Sequence, residues 1–467
     1  MRTMVVVLLL SLPTLADSLR AGAAQVVITP EKGAPMAGYY NSRMAEGTHD
    51  DLYAKALVLE ADQVKVALVA CDVISLPREI TEQARQIVQQ KTGITADHVM
   101  ISATHDHTGP VILTYPSRYN LQGEMKRIAQ EYTQGLALRI AEAVVQANAH
   151  LQPAQMRAAI GREKRLAFNR RYFMKDGSVG WNPGKLNPNI LRPAGPTDPS
   201  VSVVYVETPA GVGIAAYTNF AMHQDTTGGL QFSADYSYTL GRVLQMAKGG
   251  NLLSMFTIGC AGNVNHLDFS RKDPQSSFAE AARIGAVLAG DVLKTIQRAP
   301  IVTAATIEVS SRIVTLELPQ LTPDDIAWAH RTQATFGTDR QAPFLDLVRA
   351  AKIIDVEARH GRGFDAEVQV IALGDRVAFV SFPGEMFTEF GLTLKEDSPF
   401  PVTVAVELAN GGIGYIPNRQ AYPQGGYEVI SSRALPGAGE MLMNSGLQQL
   451  DEVFQRLHST QSAHPGQ

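Results

Sequence analysis

Residues 98–110 of the chain read His98-Val99-Met100-Ile101-Ser102-Ala103-Thr104-His105-Asp106-His107-Thr108-Gly109-Pro110. The run from His98 to Ala103 is short and mostly apolar, which is typical of a buried strand. The polar residues begin where that strand ends. In open α/β sheets, ligands bind at the carboxyl ends of the strands. This stretch therefore predicts a buried strand that delivers two histidines to a binding site.

The same alternation of short apolar runs and helical patterns continues along the chain. Strands alternating with helices favour an α/β fold with mixed sheets covered by helices, and with the site at the carboxyl ends of the strands. The predicted strands are Val64 to Val73, His98 to Ala103, Val212 to Phe220, Leu252 to Ile258, Val377 to Phe382 and Val402 to Leu408. The predicted helices are Glu79 to Gln90, Met125 to Ala147, Phe278 to Arg298, Leu345 to Ala358 and Glu440 to Leu457.

The domain organisation is predicted as a single large catalytic domain over residues 17–457. The alternative is two domains that meet in the stretch from Pro300 to Pro319. A Pro- and Asn-rich insertion, Gly180 to Pro199, is interpreted as a long ordered loop or a lid, since long loops are often functional. The polar tail from His458 to Gln467 is predicted to be disordered.

Composition excludes several classes of protein. The chain has 467 residues, 45% of them hydrophobic and 18% charged, as in a compact globular protein. Its formal net charge of −4 offers no basic field for nucleic acid. Two cysteines exclude a disulfide-stapled miniprotein and a cysteine-rich zinc module. Whether Cys71 and Cys260 pair is left open, because the sequence does not place their Cα atoms.

The N-terminus is interpreted as a signal peptide over residues 1–16. Arg2 precedes about ten apolar residues that end in small ones, whereas a membrane span needs about twenty. A buried N-terminal strand is the alternative, and Pro13 disfavours it. Cleavage after Ala16, or near Ala23, would give a secreted or periplasmic protein.

Polar residues follow five of the predicted strands, which indicates one shared site. The polar segment that follows a strand is called a strand exit, and the first of the five contains His105 and His107. The other four strand exits are Ala221-Met222-His223-Gln224-Asp225, Gly259-Cys260-Ala261-Gly262-Asn263-Val264-Asn265-His266, Pro383-Gly384-Glu385 and Ala409-Asn410-Gly411-Gly412-Ile413-Gly414-Tyr415.

The spacing of His105 and His107 would point both rings to one side of an extended chain. Two imidazoles and a carboxylate with one open position form a common catalytic zinc set, which suits hydrolysis. Each residue also has a structural interpretation: a surface histidine pair, a core His223, a Glu385 that complements a helix N-terminus. The chain has neither a Walker-type phosphate loop nor a Gly-x-Ser-x-Gly elbow.

Blocks along nearly the whole chain resemble the neutral/alkaline non-lysosomal ceramidases, which are zinc amidases that cleave N-acylsphingosines. The resemblance covers the family's N-terminal catalytic domain only. The block Ser102 to Pro110 is similar to the family's Ser-Ala-Thr-His-Thr-His-Ser-Gly-Pro. The other similar blocks are Ala21 to Pro30, Gly33 to Tyr39, His49 to Leu57, Phe220 to His223, Pro383 to Glu385 and Asn410 to Glu428.

The resemblance implies a zinc ion and a set of residues around it. The implied metal ligands are His105, His223, Glu385 and Tyr415. The implied catalytic residues are His107 for proton transfer, Tyr427 for the oxyanion, Arg170 and Asn265. The implied reaction is attack of a zinc-bound hydroxide on the N-acyl bond of ceramide or a related lipid amide. Because Arg171 adjoins Arg170, the sequence leaves open which of the two faces the site.

One block departs from the family pattern. Where the longer ceramidases read Gly-Asp-Val-Ser-Pro-Asn, this chain reads Gly262-Asn263-Val264-Asn265-His266-Leu267. Asn265 replaces the active-site serine, and an amide is neither a nucleophile nor a base. A zinc hydrolase of another small amide or ester, or a non-catalytic exported binding protein, therefore remains an alternative. The expected partner is a lipid amide with transient membrane contact, without nucleic acid or a protein partner.

Overall fold

A computed structural model describes residues 19–114, 119, 121–302 and 306–462. The predicted signal peptide, residues 1–16, lies outside the described residues. The described part is a mixed α/β fold with three larger sheets, as the alternation of strands and helices predicted. None of its helices combines the length and the apolar character that crossing a bilayer requires.

The first sheet contains the strand that precedes the two histidines. Its strands, in spatial order, are Val99–Ala103, Val64–Cys71, Tyr53–Ala61, Arg20–Val27 and Gln152–Pro153. The two strands at the Val99–Ala103 edge are parallel, and the other pairs are antiparallel. Helices Arg78–Thr92 and Gly123–Ala149 pack on one face.

The second sheet has five strands, and the third has four. The second is ordered Leu253–Ile258, Gly213–Phe220, Ser200–Glu207, Gln155–Arg162 and Ile301–Val302. Helices Asp235–Lys248 and Phe278–Arg298 cover it. The third is ordered Ile307–Leu316, Phe364–Leu373, Val377–Ser381 and Val402–Val406. Helices Thr388–Asp397 and Ala438–Ser462 cover it.

The three sheets bury their inner faces in one central core. Alternate residues of a strand point to opposite faces, so Ala56 and Val58 meet the helices while Leu57 and Leu59 point to the centre. The same central cluster includes side chains of the second and third sheets, such as Tyr217 and Phe379, whose rings lie 5.0 Å apart. Strands that are buried on both faces explain the continuous apolar runs of the sequence.

Smaller elements complete the described chain. The short strand pairings are Pro35–Met36 with Arg43–Met44, Gly47–Thr48 with Gln231–Phe232, Phe168–Asn169 with Val264–Asn265, Glu385–Met386 with Tyr415–Ile416, and Arg171–Met174 with both Val179–Trp181 and Ile190–Pro193. The remaining helices are Pro323–Gln333, Phe344–Glu357 and Tyr427–Ser431, with 3-10 turns at Ala96–His98 and Arg419–Gln424.

The structure differs from the expectations for the insertion and for the tail, and it shows which strands lie in the stretch named as the alternative domain boundary. The insertion Gly180 to Pro199 is partly strand, because its two ends pair with Arg171–Met174 on either side. The stretch from Pro300 to Pro319 holds one strand of the second sheet and one of the third, so it crosses between sheets. The tail was predicted to be disordered from His458, but the last helix continues to Ser462. There the His458 ring packs on Phe454 and its Nδ1 bonds the Phe454 carbonyl, while residues 463–467 lie outside the described part.

Cys71 and Cys260 are both buried and unpaired in the described structure. Cys71 ends the strand Val64–Cys71, and Cys260 follows the strand Leu253–Ile258. The sequence left their pairing open, and in this structure they do not form a disulfide.

The packing of the helix Phe278–Arg298 against Asp235–Lys248 generates a stability prediction. A Cβ at Gly285 would lie 2.4 Å from the Tyr236 carbonyl oxygen, whereas a Cβ at Gly290 meets nothing within 4 Å. We expect Gly285→Ala to destabilise the fold by about 1–3 kcal/mol through overpacking. Gly290→Ala in the same helix should stabilise it by about 0.5–1 kcal/mol. Urea unfolding measures both, and equal midpoints for the two variants would contradict the helix contact.

Candidate metal and catalytic site

The carboxyl ends of strands from all three sheets are hydrogen-bonded to one another. The Ala103 amide donates to the Leu408 carbonyl (3.0 Å), which joins the first sheet to the third. The Glu407 amide donates to the Ile258 carbonyl (3.2 Å), which joins the third sheet to the second. The five polar strand exits therefore meet in one place, as the sequence pattern indicated.

His105 leaves its strand in a left-handed conformation, with φ of 66°. The rings of His105 and His107 do meet, as predicted. The predicted reason is wrong, because the backbone at His105 is left-handed and not extended. The Nδ1 of His105 bonds the Ile74 carbonyl at 2.9 Å. A carbonyl only accepts, so Nδ1 carries the proton and Nε2 keeps its lone pair. This is the tautomer that a metal ligand requires.

Three imidazoles converge at this position. The Nε2 atoms of His105 and His107 are 3.2 Å apart, and the His105 and His223 rings lie 4.4 Å apart and nearly perpendicular. One ring nitrogen from each of the three histidines lies within 4.8 Å of the others. The cluster is buried. It is thus compact enough for one ion to be bound by all three rings.

Glu385 and Tyr415 are neighbours in a two-residue parallel pairing that carries them to the histidines. The Oε2 of Glu385 lies 3.4 Å from His105 Nε2 and 3.5 Å from His223 Nε2. That oxygen is buried and has no hydrogen-bond partner among the described residues. The Tyr415 hydroxyl lies 3.4 Å from His223 Nε2. The residues implied as metal ligands are therefore assembled around one point.

Burial sets the protonation of the cluster. It lowers the pKa of His107 well below the usual range, with His105 adding to the effect. It lowers the pKa of His223 in the same way, with Arg170 adding to the effect. Burial by itself would raise the pKa of Glu385, but the adjacent His105 and His223 bring it well below the ordinary value. Near neutral pH the site therefore offers the neutral imidazoles of His107 and His223 and the ionised carboxylate of Glu385, donors that suit Zn²⁺.

Arg170, rather than Arg171, faces the cluster. Its Nη1 lies 3.2 Å from His223 Nε2, and its guanidinium lies 5.3 Å from the centre of the Tyr415 ring. Arg171 instead donates to the Gly425 carbonyl at 2.9 Å, on the approach to Tyr427. Both arginines are buried, so each needs a partner.

Glu428 supplies that partner, and the sequence argument gave it no role. Its carboxylate accepts from Arg170 Nε at 2.8 Å and from Arg171 Nη1 at 3.0 Å, and it is fully buried. One carboxylate therefore fixes both Arg170 at the cluster and Arg171, which bonds the Gly425 carbonyl. The only sequence signal was the position of Glu428 immediately after Tyr427.

Tyr427 lies beyond Tyr415 as seen from the histidines. Its ring is 5.3 Å from the Tyr415 ring, and the Arg170 guanidinium lies 5.8 Å from its centre. On the other side it packs against Trp181 at 4.6 Å. The structure thus brings Tyr427 together with the other predicted site residues.

Asn265 and Asn263 use their side chains to hold other segments. The Nδ2 of Asn265 donates to Asn182 Oδ1 (3.1 Å), and its Oδ1 accepts from the Leu267 amide (3.1 Å). Asn263 donates to the Glu389 carboxylate (2.9 Å) and accepts from the Thr388 amide (2.9 Å). Of the predicted catalytic residues, Asn265 is therefore the one whose polar groups are engaged away from the histidines.

Asp225 and Tyr39 complete the surroundings of His107, and the sequence argument assigned them no role. Asp225 Oδ1 lies 3.7 Å from His107 Nδ1 and accepts a hydrogen bond from the Tyr39 hydroxyl. The Tyr39 and His107 rings meet edge to face at 5.5 Å. The available signal was the presence of Asp225 two residues after His223 in the same strand exit.

Comparison with known proteins shows a similarity to neutral ceramidases. A family profile described as neutral/alkaline non-lysosomal ceramidase, N-terminal, matches residues 20–189. The curated neutral ceramidase A of Dictyostelium discoideum is 25% identical over 195 residues, which is 40% of this chain and 26% of that protein. The match thus spans about a quarter of the length of that relative.

Two solved structures share the fold over nearly the whole chain. The crystal structure of neutral ceramidase from Pseudomonas aeruginosa has a TM-score of 0.71 and 18% identity, and covers 94% of this chain and 75% of that chain. A ceramidase complexed with C2 has a TM-score of 0.69 and 17% identity, and covers 95% and 76%. The predicted resemblance to neutral ceramidases is confirmed, and the fold is the one these structures share.

The buried charge cluster around Glu428 generates the second prediction. We expect Glu428→Gln to lower the free energy of unfolding by about 3 kcal/mol or more, because it leaves two buried guanidinium groups without a counter-charge. The matched control is Glu82→Gln, which breaks an exposed ion pair with Arg78 and should cost less than about 1 kcal/mol. Denaturant titration measures both variants, and equal losses would refute the pairing.

Proposed function

We propose that the chain is a zinc-dependent amidohydrolase that cleaves the N-acyl bond of ceramide or a related lipid amide. The observation that supports this proposal best is the convergence of three imidazoles and the unpartnered Glu385 oxygen at the strand ends. The fold shared with neutral ceramidases and the matching profile favour the same reaction class.

The donor set fits zinc rather than a harder cation. Imidazole nitrogens supply two of the four proposed ligands, whereas Ca²⁺ and Mg²⁺ prefer sites made of oxygen ligands. His105, His223, Glu385 and Tyr415 would hold the ion, with His107 beside it. When bound, zinc lowers the pKa of a water molecule towards neutrality and polarises a carbonyl oxygen, which is the chemistry of amide hydrolysis.

The remaining residues have roles that follow from their positions. His107 is neutral because it is buried, so it can accept the proton of the attacking water and return it to the departing amine. Asp225 places a carboxylate oxygen 3.7 Å from His107 Nδ1, beside that ring. Arg170 keeps a fixed positive charge next to His223, and it would stabilise negative charge that develops on the carbonyl oxygen. Tyr427, whose ring lies 5.8 Å from the same guanidinium, would donate a hydrogen bond to that oxygen.

A second candidate function is a zinc hydrolase acting on a different small amide or ester. The observation that favours it is the engagement of Asn265 with Asn182 and Leu267, at the position where the ceramidases carry a serine. Asn265 is not one of the implied metal ligands. The hydrolytic chemistry would therefore remain while substrate handling differed.

An assay with a long-chain ceramide tests the proposal. Zinc-loaded protein should release a sphingosoid base, and His223→Ala should lower the rate by at least about 100-fold, because it removes a ligand from the buried cluster. His330→Ala is the control: His330 lies on an exposed helix and bonds only Glu357. Mass spectrometry of the released base and metal analysis of each variant give the two readouts.

Each outcome decides between the readings. Full activity in His223→Ala would overturn the metal mechanism. Zinc in the parent protein with hydrolysis of non-sphingoid amides only would favour the second candidate. A zinc-loaded parent that retains ceramide without cleaving it would favour a binding protein.

We further propose that residues 1–16 direct export of the protein. Their basic start and apolar run are those of a signal peptide. Expression of the whole chain in a secreting host should give a mature protein that begins after Ala16, as read by intact mass and N-terminal sequencing. A product that retains Met1 and stays inside the cells would refute export.

A further inference from the structure

A continuous series of aromatic rings leads from the candidate metal site to the surface. The Tyr415 ring contacts Tyr427 at 5.3 Å, and Tyr427 contacts Trp181 at 4.6 Å. Phe344 stacks on Trp181 at 5.7 Å and on Tyr427 at 5.6 Å. Phe344 is 39% exposed, so the series ends in solvent. We call Tyr427, Trp181 and Phe344 the aromatic wall.

The wall carries one polar group that lacks a partner. The indole Nε1 of Trp181 is buried and has no hydrogen-bond partner among the described residues. A buried donor without an acceptor is unfavourable, and a ligand that supplies the acceptor removes that cost. The wall therefore suits a ligand that is apolar along its length and has a hydrogen-bond acceptor near the reacting end.

Trp181 is held against the site by its neighbour in the sequence. The Asn182 amide donates to the Arg170 carbonyl at 2.8 Å, and Asn182 Oδ1 accepts from Asn265 Nδ2 at 3.1 Å. Asn182 has a φ of 42°, a left-handed conformation in which asparagine is tolerated. Asn265, the residue at the position of the ceramidases' serine, is thereby a support of the wall.

We infer that the aromatic wall is the subsite for the apolar substituent of the scissile amide, and that Asn265 positions it through Asn182. This inference rests on the proposed amidase function. In this arrangement the scissile carbonyl lies between the histidines and Tyr427, and an alkyl chain runs along Trp181 and Phe344 to the surface. Binding of the chain replaces water on three aromatic faces, so chain length is recognised by burial of apolar area.

The kinetic test compares two substrates that share one amine, an N-hexadecanoyl and an N-acetyl amide. We expect Trp181→Ala to raise KM for the long-chain substrate about tenfold, with kcat changed less than about threefold, because the wall binds ground state and transition state alike. For the N-acetyl substrate, kcat/KM should change less than about threefold. Equal losses on the two substrates would overturn the inference.

Two further variants separate the subsite from general damage to the fold. Phe173→Ala removes an aromatic ring of the same small sheet that packs under Arg192 and is not part of the aromatic wall, and it should leave the ratio of the two substrates unchanged. Asn182→Gly accepts the positive φ but removes the acceptor for Asn265. It should shift the ratio in the same direction as Trp181→Ala, and an unchanged ratio would refute the role of Asn265.

A binding measurement is independent of turnover. The chain has two tryptophans, Trp181 and Trp328, so Trp328→Phe leaves Trp181 as the sole indole reporter. Trp328 lies on the helix Pro323–Gln333, under Arg349. In a Trp328→Phe/His223→Ala protein, the N-hexadecanoyl amide should change the emission of Trp181 saturably, and the N-acetyl amide at the same concentration should not.

The two readouts fail in different ways. If the parent protein hydrolyses neither amide but the long-chain amide still changes the Trp181 emission, the proposed function falls and the subsite stands. If the parent hydrolyses both amides and the emission of Trp181 is unchanged at saturating long-chain substrate, the subsite falls and the proposed function stands.

Discussion

The inner faces of the three larger sheets are apolar, and burying them against one another is the constraint on which the rest of the structure depends. Side chains such as Leu57, Tyr217 and Phe379 alternate with residues that meet the helices, so every sheet is covered on both faces. Removing both faces from water is favourable in proportion to the apolar area. Once the sheets share one core, their carboxyl ends meet. The polar strand exits are brought together as a consequence.

The charges of the site are stable in a buried place because they are paired. Arg170 and Arg171 share the carboxylate of Glu428, and Glu385 lies between His105 and His223. The same burial keeps His107 and His223 neutral, because it penalises the charged form of an imidazole. The low accessibility that makes the ion pairs obligatory also prepares the histidines as metal ligands and proton acceptors.

The replacement at Asn265 gains a structural meaning from its contacts. A serine at this position could not reach as far as the asparagine amide, which bonds Asn182 beside Trp181. The Asn265 side chain thus supports the segment that carries Trp181 rather than facing the histidines.

Local sequence patterns were enough to predict the helices and strands whose apolar residues recur with the period of that element. The helix Phe278–Arg298 was predicted at its observed bounds, and the strand Val99–Ala103 within one residue, because amphipathic and apolar runs report burial directly. The helices Asp235–Lys248 and Pro323–Gln333 were not identified. The expected lid was partly wrong for a related reason: its strands exist only because Arg171–Met174 lies between them.

The site residues also fall into two groups, those that the sequence nominated and those that only the structure revealed. The polar residues after the predicted strands nominated the three histidines, Glu385 and Tyr415, and the resemblance to the ceramidases nominated Tyr427 and Arg170. Only the tertiary structure could choose Arg170 over Arg171, because the choice depends on which guanidinium reaches His223. Glu428, Asp225 and Trp181 act through partners that are remote in sequence, and no local pattern encodes a contact with a distant segment. The sequence by itself determined which chemical groups the chain offers, and the packing of its sheets decided which of them meet.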